Sequence, residues 1–168
     1  MGRNNRYQYY VEGDCEKKLI NTLKNNGILI SGKVDVLNVS QKEITDLRLR
    51  SLSPDTIVIL IFDLDKINVD ILRNNIALLS HHSHIKEVWP VTQNENFEDE
   101  IKRSTDIKEL KDLLGSKSNK DFKRDFIKTK DLFGKLKDHH FSISKMWAKK
   151  PGKTMSSFLR NEGFRVKR

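Results

Sequence analysis

Residues 57–66 read IVILIFDLDK, and how this stretch folds decides the rest of the chain. Six consecutive apolar residues, Ile57 to Phe62, are followed at once by Asp63 and Asp65. An alternating pattern would mark a strand with one wet face. An unbroken apolar run marks a strand buried on both faces, which a parallel sheet covered by helices requires. The two carboxylates then fall just past the strand's carboxyl end, the edge at which open α/β sheets bind ligands.

Working outward, the neighbours fit such a sheet. Upstream, Tyr7 to Val11 (YQYYV) is rich in strand formers, and Glu12-Gly13-Asp14 breaks it and opens a helix from Cys15 to about Asn25 that Asn26-Gly27 ends. Val34 to Val39 alternates as a second strand. Ser40, with Glu43 three positions on, has the form of a capping box, which predicts a helix to about Leu52, stopped by Ser53-Pro54. Downstream, Asp70 to Leu79 has helical spacing, and Ile85 to Val91 reads as a fourth strand whose Pro90 suits an edge position or a strand end. Four strands alternating with helices predict an open, mainly parallel α/β sheet. Beyond Thr92 the pattern turns mostly helical, at Phe97 to Arg103, Ile107 to Leu114, Phe122 to Thr129 and Met155 to Asn161. The expected organisation is a core over residues 1–103 with a basic, mostly helical extension over 104–168 packed on it.

The chain has 168 residues and a net charge of +9, unevenly spread. Residues 1–100 carry 12 Lys and Arg against 15 Asp and Glu, and residues 101–168 carry 20 against 8. A polyanion, DNA or RNA, is the natural partner for that basic half, with Lys145, Lys149, Lys150, Lys153 and Arg160 as expected contacts. Of its aromatics, Phe122, Phe126, Phe133, Phe141 and Phe158 read mainly as core, while Trp147 is a candidate for stacking on bases. No apolar run approaches the ~18 residues of a membrane span. The opening MGRNNRYQYY lacks the apolar centre of a signal peptide. A soluble, cytoplasmic chain with no membrane partner is expected. The single cysteine, Cys15, excludes an intramolecular disulfide and a cysteine-built zinc site. His81, His82 and His84 lie where a helix ends, a place the helix dipole favours for histidine, and read as that before they read as zinc ligands.

The carboxylates carry the chemistry. Glu12 lies just past the first predicted strand, and Asp63 and Asp65 just past the third. Brought together on one sheet edge they would repel one another unless a cation joined them. Oxygen-only ligands suit Mg²⁺ or Mn²⁺. A further acidic group, Glu95, Glu98, Asp99 and Glu100, opens the helix after the fourth strand, where the dipole alone favours carboxylates. Glu16, at the start of the first helix, is open to the same plain reading.

In these stretches, YYVEGDCEKKLI, IVILIFDLDK and VTQNENFEDEI, the chain resembles the Toprim domain, and more closely the Toprim nucleases of the overcoming-lysogenisation-defect and RloB-like groups. The resemblance spans about residues 7–103. It implies Glu12 and Glu16 as the family's two N-terminal glutamates, Asp63 and Asp65 as its D-x-D pair, and Glu98 as the glutamate of its Phe-Glu pair. Gln93 departs from the serine usual in RloB-like members. On this resemblance the expected function is divalent-metal-dependent phosphodiester cleavage. Asp63 and Asp65 would hold a metal with Glu12 or Glu16, Glu98 would help hold a second, and Glu12 is a candidate general acid or base. A lysine of the basic half, Lys145, Lys149, Lys150 or Lys153, would steady the developing charge. The larger relatives carry an ATPase domain that is missing here, so the chain is expected to act alone or with a separate ATPase-type partner, in phage defence or a mobile element. Two other readings stay open. FDLDK also resembles the D-x-D of haloacid-dehalogenase-type phosphatases, although that motif sits on a first strand and continues with Gly-Thr, where Lys66-Ile67 stands here. The other is a non-catalytic nucleic-acid-binding or assembly subunit.

Overall fold

The structure of the chain, a computed structural model, describes residues 5–168, apart from the side chain of Thr154. The strands are β1 (Arg6–Val11), β2 (Lys33–Val36), β3 (Thr56–Asp63) and β4 (Ile85–Gln93). They form one four-stranded sheet in the order β2-β1-β3-β4, and every neighbouring pair is parallel. Seven successive residues of β3, Thr56 to Phe62, are buried, as the unbroken apolar run demands.

Side-chain alternation splits the core in two. Ile57, Ile59 and Ile61 of β3 join Tyr9 and Val11 of β1 and Trp89 and Val91 of β4 on one face. Val58, Leu60 and Phe62 join Tyr10 on the other. The first face is covered by α1 (Asp14–Asn25), α4 (Phe97–Ser104), α5 (Phe122–Lys128) and α6 (Leu132–Asp138). Leu19, Ile20 and Leu23 give α1 its apolar stripe, each burial contributing about 1.5–3 kcal/mol. Gly27, at φ 71°, closes α1 in the left-handed region while Ile28 N donates to Leu23 O. The second face is covered by α2 (Asp46–Arg50) and α3 (Val69–His81).

The structure corrects several expected elements. The segment predicted as a capping box and helix from Ser40 stays irregular to Ile44. The amide of Asn75, fully buried in α3, donates to Val39 O and Lys42 O and accepts from Ile44 N, while Asn68 N donates to Ser40 O. These tertiary bonds claim the backbone groups a helix would have used, and the cap moves to Thr45, which accepts from Arg48 N. The helix expected at Ile107 to Leu114 is a short 3₁₀ turn, Leu110–Leu113, and that at Met155 to Asn161 shrinks to α7 (Lys153–Ser156). Helix α6 forms although Gly134, a poor helix former, sits inside it.

Residues beyond 103 share the sheet's cores. Phe122, Phe126, Leu132, Leu136, Met146, Trp147 and Val166 lie in the first, and Leu159 in the second. Trp147 is thus a core residue, 2% exposed, and is not available to stack on bases. Residues 161–165 run along β4, which is an edge strand, one of the two places Pro90 allowed, before Val166 and Arg168 bond to Ile30 and Ile28. Glu162 N donates to Pro90 O, and Arg165 lies 4.0 Å over the Trp89 ring and pairs with Glu87 at 2.6 Å. The exposed edge is covered in this way. Gly163 lets this segment lie close against Trp147, since a Cβ there would come 2.7 Å from Trp147 Cβ.

Among the described residues no helix is long and apolar enough to cross a membrane.

Candidate functional site

The chain reverses its direction of sheet growth between β1 and β3. From β1 it steps outward to β2, then crosses back over β1 to place β3 on the other side. At such a switch point the loops leaving adjacent strands diverge and open a crevice. Glu12 follows β1 immediately and Asp63 ends β3, so both carboxylates stand at this crevice. Glu12 Oε2 accepts from Asp63 N at 2.9 Å and Oε1 from Asn38 Nδ2 at 2.8 Å.

Strand register adds a third partner. Asp63 is directly opposite Gln93, the last residue of β4, and with parity shared the two side chains meet. Gln93 Nε2 donates to Asp63 Oδ1 at 2.5 Å and to Glu16 Oε1, reaching in from the first turn of α1, at 3.3 Å. Gln93 is fully buried, and its Oε1 has no hydrogen-bond partner. The departure noted in the sequence is therefore the amide that ties two acidic residues together.

Burial raises the pKa of all three. Asp63 is pushed up to about 8 by burial, against the Gln93 hydrogen bond and with the charges of Glu12, Glu16 and Asp65 adding to the rise. Burial also raises Glu12, opposed by the Asp63 N–H, and raises Glu16. Asp65 is exposed on the turn after β3, where its backbone N–H and that of Leu64 donate to Glu95 O. Glu98, at the start of α4, pairs with Lys123 of α5 at 2.7 Å. The Lys123 charge is also felt by Glu12 and Glu16, and its own pKa is raised, chiefly by the bond to Glu98. Cys15, buried beside them, is pushed up to about 12 by burial and is an inert thiol.

The structure thus brings Glu12, Glu16 and Asp63 into one hydrogen-bonded cluster, with Asp65 and Glu98 at its rim. It adds Lys123 and Gln93, which sequence reasoning did not assign. The only local sign of Lys123 is its place beside Phe122, which with Phe126 anchors α5 against Phe97 of α4. Glu100, which a capping role would explain, is fully buried instead. It pairs with Arg103 at 2.6 Å and accepts from Asn94 N and Trp147 N. Of the expected nucleic-acid contacts, Lys150, Lys153 and Arg160 line one cavity, whereas Lys145 and Lys149 are exposed outside it.

Among the described residues no three His, Cys, Asp or Glu side chains are arranged to hold a metal ion as they stand. The histidines are otherwise engaged: His81 Nδ1 meets Ala77 O, His84 Nδ1 meets Leu52 O, and His139 and His140 both meet Asp106. At the crevice, however, the donor set suits a hard divalent cation. It comprises carboxylates whose pKa values burial raises, that of Asp63 to about 8, together with a buried amide oxygen, Gln93 Oε1, that no donor meets.

Comparison with protein-family models, with curated proteins and with solved structures finds no match.

Proposed function

We propose that this chain is a divalent-metal-dependent nuclease that cleaves phosphodiester bonds in DNA or RNA. One observation carries the reading: Glu16, which is buried, and Glu12 and Asp63, which are half-buried, form a hydrogen-bonded acidic cluster at the sheet's switch point, beside a cation from the basic half. Burying like charges is costly, and a fold that needed only stability would fill the crevice with apolar groups. Glu12, Glu16 and Asp63 would hold Mg²⁺ or Mn²⁺, with Asp65 and Glu98 as the further candidate ligands that the Toprim resemblance implies. The ion, when bound, supplies charge neutralisation at the phosphate and an acidified water.

The chain's own residues account for the rest. Gln93 orients Asp63 and Glu16. Asp63, its pKa raised to about 8 chiefly by burial, would release its proton on holding the ion. Glu12, held by Asn38 and by the Asp63 backbone, is the candidate to take or return a proton where Glu16 and Asp63 hold the ion without it. Lys123, with a side chain 63% exposed, reaches both Glu98 and solvent and is the ammonium best placed to meet a phosphate oxygen. The motif order that resembles Toprim nucleases agrees with this assignment.

A second reading, a non-catalytic nucleic-acid-binding subunit, draws on the amide partners that Glu12, Glu16 and Asp63 already possess. The two separate on metal-dependent cleavage. Supercoiled DNA, linear DNA and structured RNA are incubated with Mg²⁺ or Mn²⁺ and the wild type, Asp63→Ala or Glu12→Ala. Cleavage by the wild type, lost by about 10²-fold or more in both variants, is expected. Cleavage that persists in both, or none with any metal and substrate, refutes the nuclease.

A further inference from the structure

Beside the acidic crevice, the segment after Trp147 folds into a cavity of about 420 Å³ lined by Lys150, Lys153 and Arg160, with Ser156, Asn161 and Leu159 completing the wall. Its walls are tied to the catalytic edge. Asn94, the residue after Gln93, donates through Nδ2 to Lys150 O at 2.9 Å. Asn161 accepts from Thr92 N and donates to Trp147 O and Lys149 O, which pins the cavity wall to the end of β4. No acidic residue lines the cavity, and among the described residues no ion pair engages any of the three cations. Three unneutralised charges around one concavity repel one another, and an anion in it relieves that repulsion. The volume falls within the ~300–1,000 Å³ of small-ligand sites and has room for a phosphate with its sugar, for which Leu159 and Pro151 supply apolar wall.

We propose that this cavity is a phosphate-binding subsite that grips a nucleic-acid strand next to the point of cleavage. The inference deepens the nuclease reading by naming where the strand is held, and it is tested without cleavage. Binding of fluorescent single-stranded DNA and RNA is measured in EDTA over a range of salt concentrations. The wild type is compared with a triple variant carrying Lys150→Met, Lys153→Met and Arg160→Met. A control triple, Lys108→Met, Lys117→Met and Lys120→Met, removes the same charge from exposed positions elsewhere. The cavity variant is expected to bind about tenfold more weakly, with a log–log salt slope smaller by about 1. The control is expected to stay within about twofold, its charges being screened. Should the triple variant fail to fold, Lys153→Glu alone, at an exposed position, is expected to weaken binding in the same direction. A larger loss for 5′-phosphorylated strands than for circular ones assigns the cavity to a terminal phosphate, and equal losses to an internal one. Equal losses in the cavity and control triples, no loss in the cavity triple, or no binding by the wild type overturns the proposal. A strand gripped through the cavity by a protein that cleaves nothing would refute the nuclease and leave the subsite standing. Cleavage by the cavity triple at wild-type affinity would do the reverse.

Discussion

Asp63 titrates against its own fold. Its pKa is about 8 in the folded chain and near the ordinary carboxylate value of about 4 once unfolded. Between these values the folded state binds the extra proton, so stability is fullest below about pH 4 and falls as pH rises through 8. Asp63→Asn removes that loss. In metal-free buffer the variant is expected to melt above the wild type at pH 8, by about 2–4 °C for each kcal/mol released, with the gap closing towards pH 5. Calorimetry across pH 5–9 checks this, and a gap that is flat or widens at low pH contradicts it. The same group explains the site's expected response to cations. If the cluster holds the proposed cation, adding Mn²⁺ at pH 8 is expected to raise the wild-type midpoint and to leave that of Asp63→Asn nearly still, as differential scanning calorimetry would record. Asp63, Asp65 and Glu12 could be picked out in sequence because they follow predicted parallel strands, at the sheet edge where ligands bind. Gln93 and Lys123 could not, since an amide at a strand end and a lysine on a basic helix look ordinary until register and packing bring them to the crevice.

Elements were legible where one periodicity dominated. The six apolar residues of β3 admit no amphipathic reading, and α1 and α3 carry clear helical stripes. The segment from Ser40 misled because its local capping signal is real but weaker than three hydrogen bonds from one buried amide. Asn75→Leu tests that account. It strips Val39 O, Lys42 O and Ile44 N of their partner, and chemical denaturation is expected to record a loss of about 3 kcal/mol. Exchange of the Ile44 amide hydrogen is expected to quicken well before that of β3. Protection at Ile44 equal to the wild type would sink the explanation. At the other side of the sheet, Gly32 lies under β1, where a Cβ would meet Tyr7 O at 2.5 Å. Gly32→Ala is therefore expected to cost about 1–3 kcal/mol, read in the same denaturant series.

At the scale of the molecule, Glu100 joins the two halves. Its carboxylate holds Arg103, the Asn94 N–H and, across 47 positions of sequence, the Trp147 N–H. Trp147 stands in the left-handed region at φ 54°, a conformation the surrounding bonds must maintain. Glu100→Ala is expected to lower stability by about 3–5 kcal/mol and to speed proteolysis within residues 148–166 before the sheet itself opens. Uniform, single-step loss of all probes would instead show that the two halves melt as one. The sequence by itself determined the α/β class, the parallel sheet and the arrival of Glu12 and Asp63 at one end of that sheet. These follow from local periodicity and from the rule that strand ends share an edge. Only the tertiary structure decided which groups meet there: the β3–β4 register that sets Gln93 against Asp63, the docking of α5 that delivers Lys123, and the return of the chain along β4 that buries Trp147 and gathers Lys150, Lys153 and Arg160. Contacts between residues far apart in the chain depend on how whole faces pack, and no local pattern encodes that.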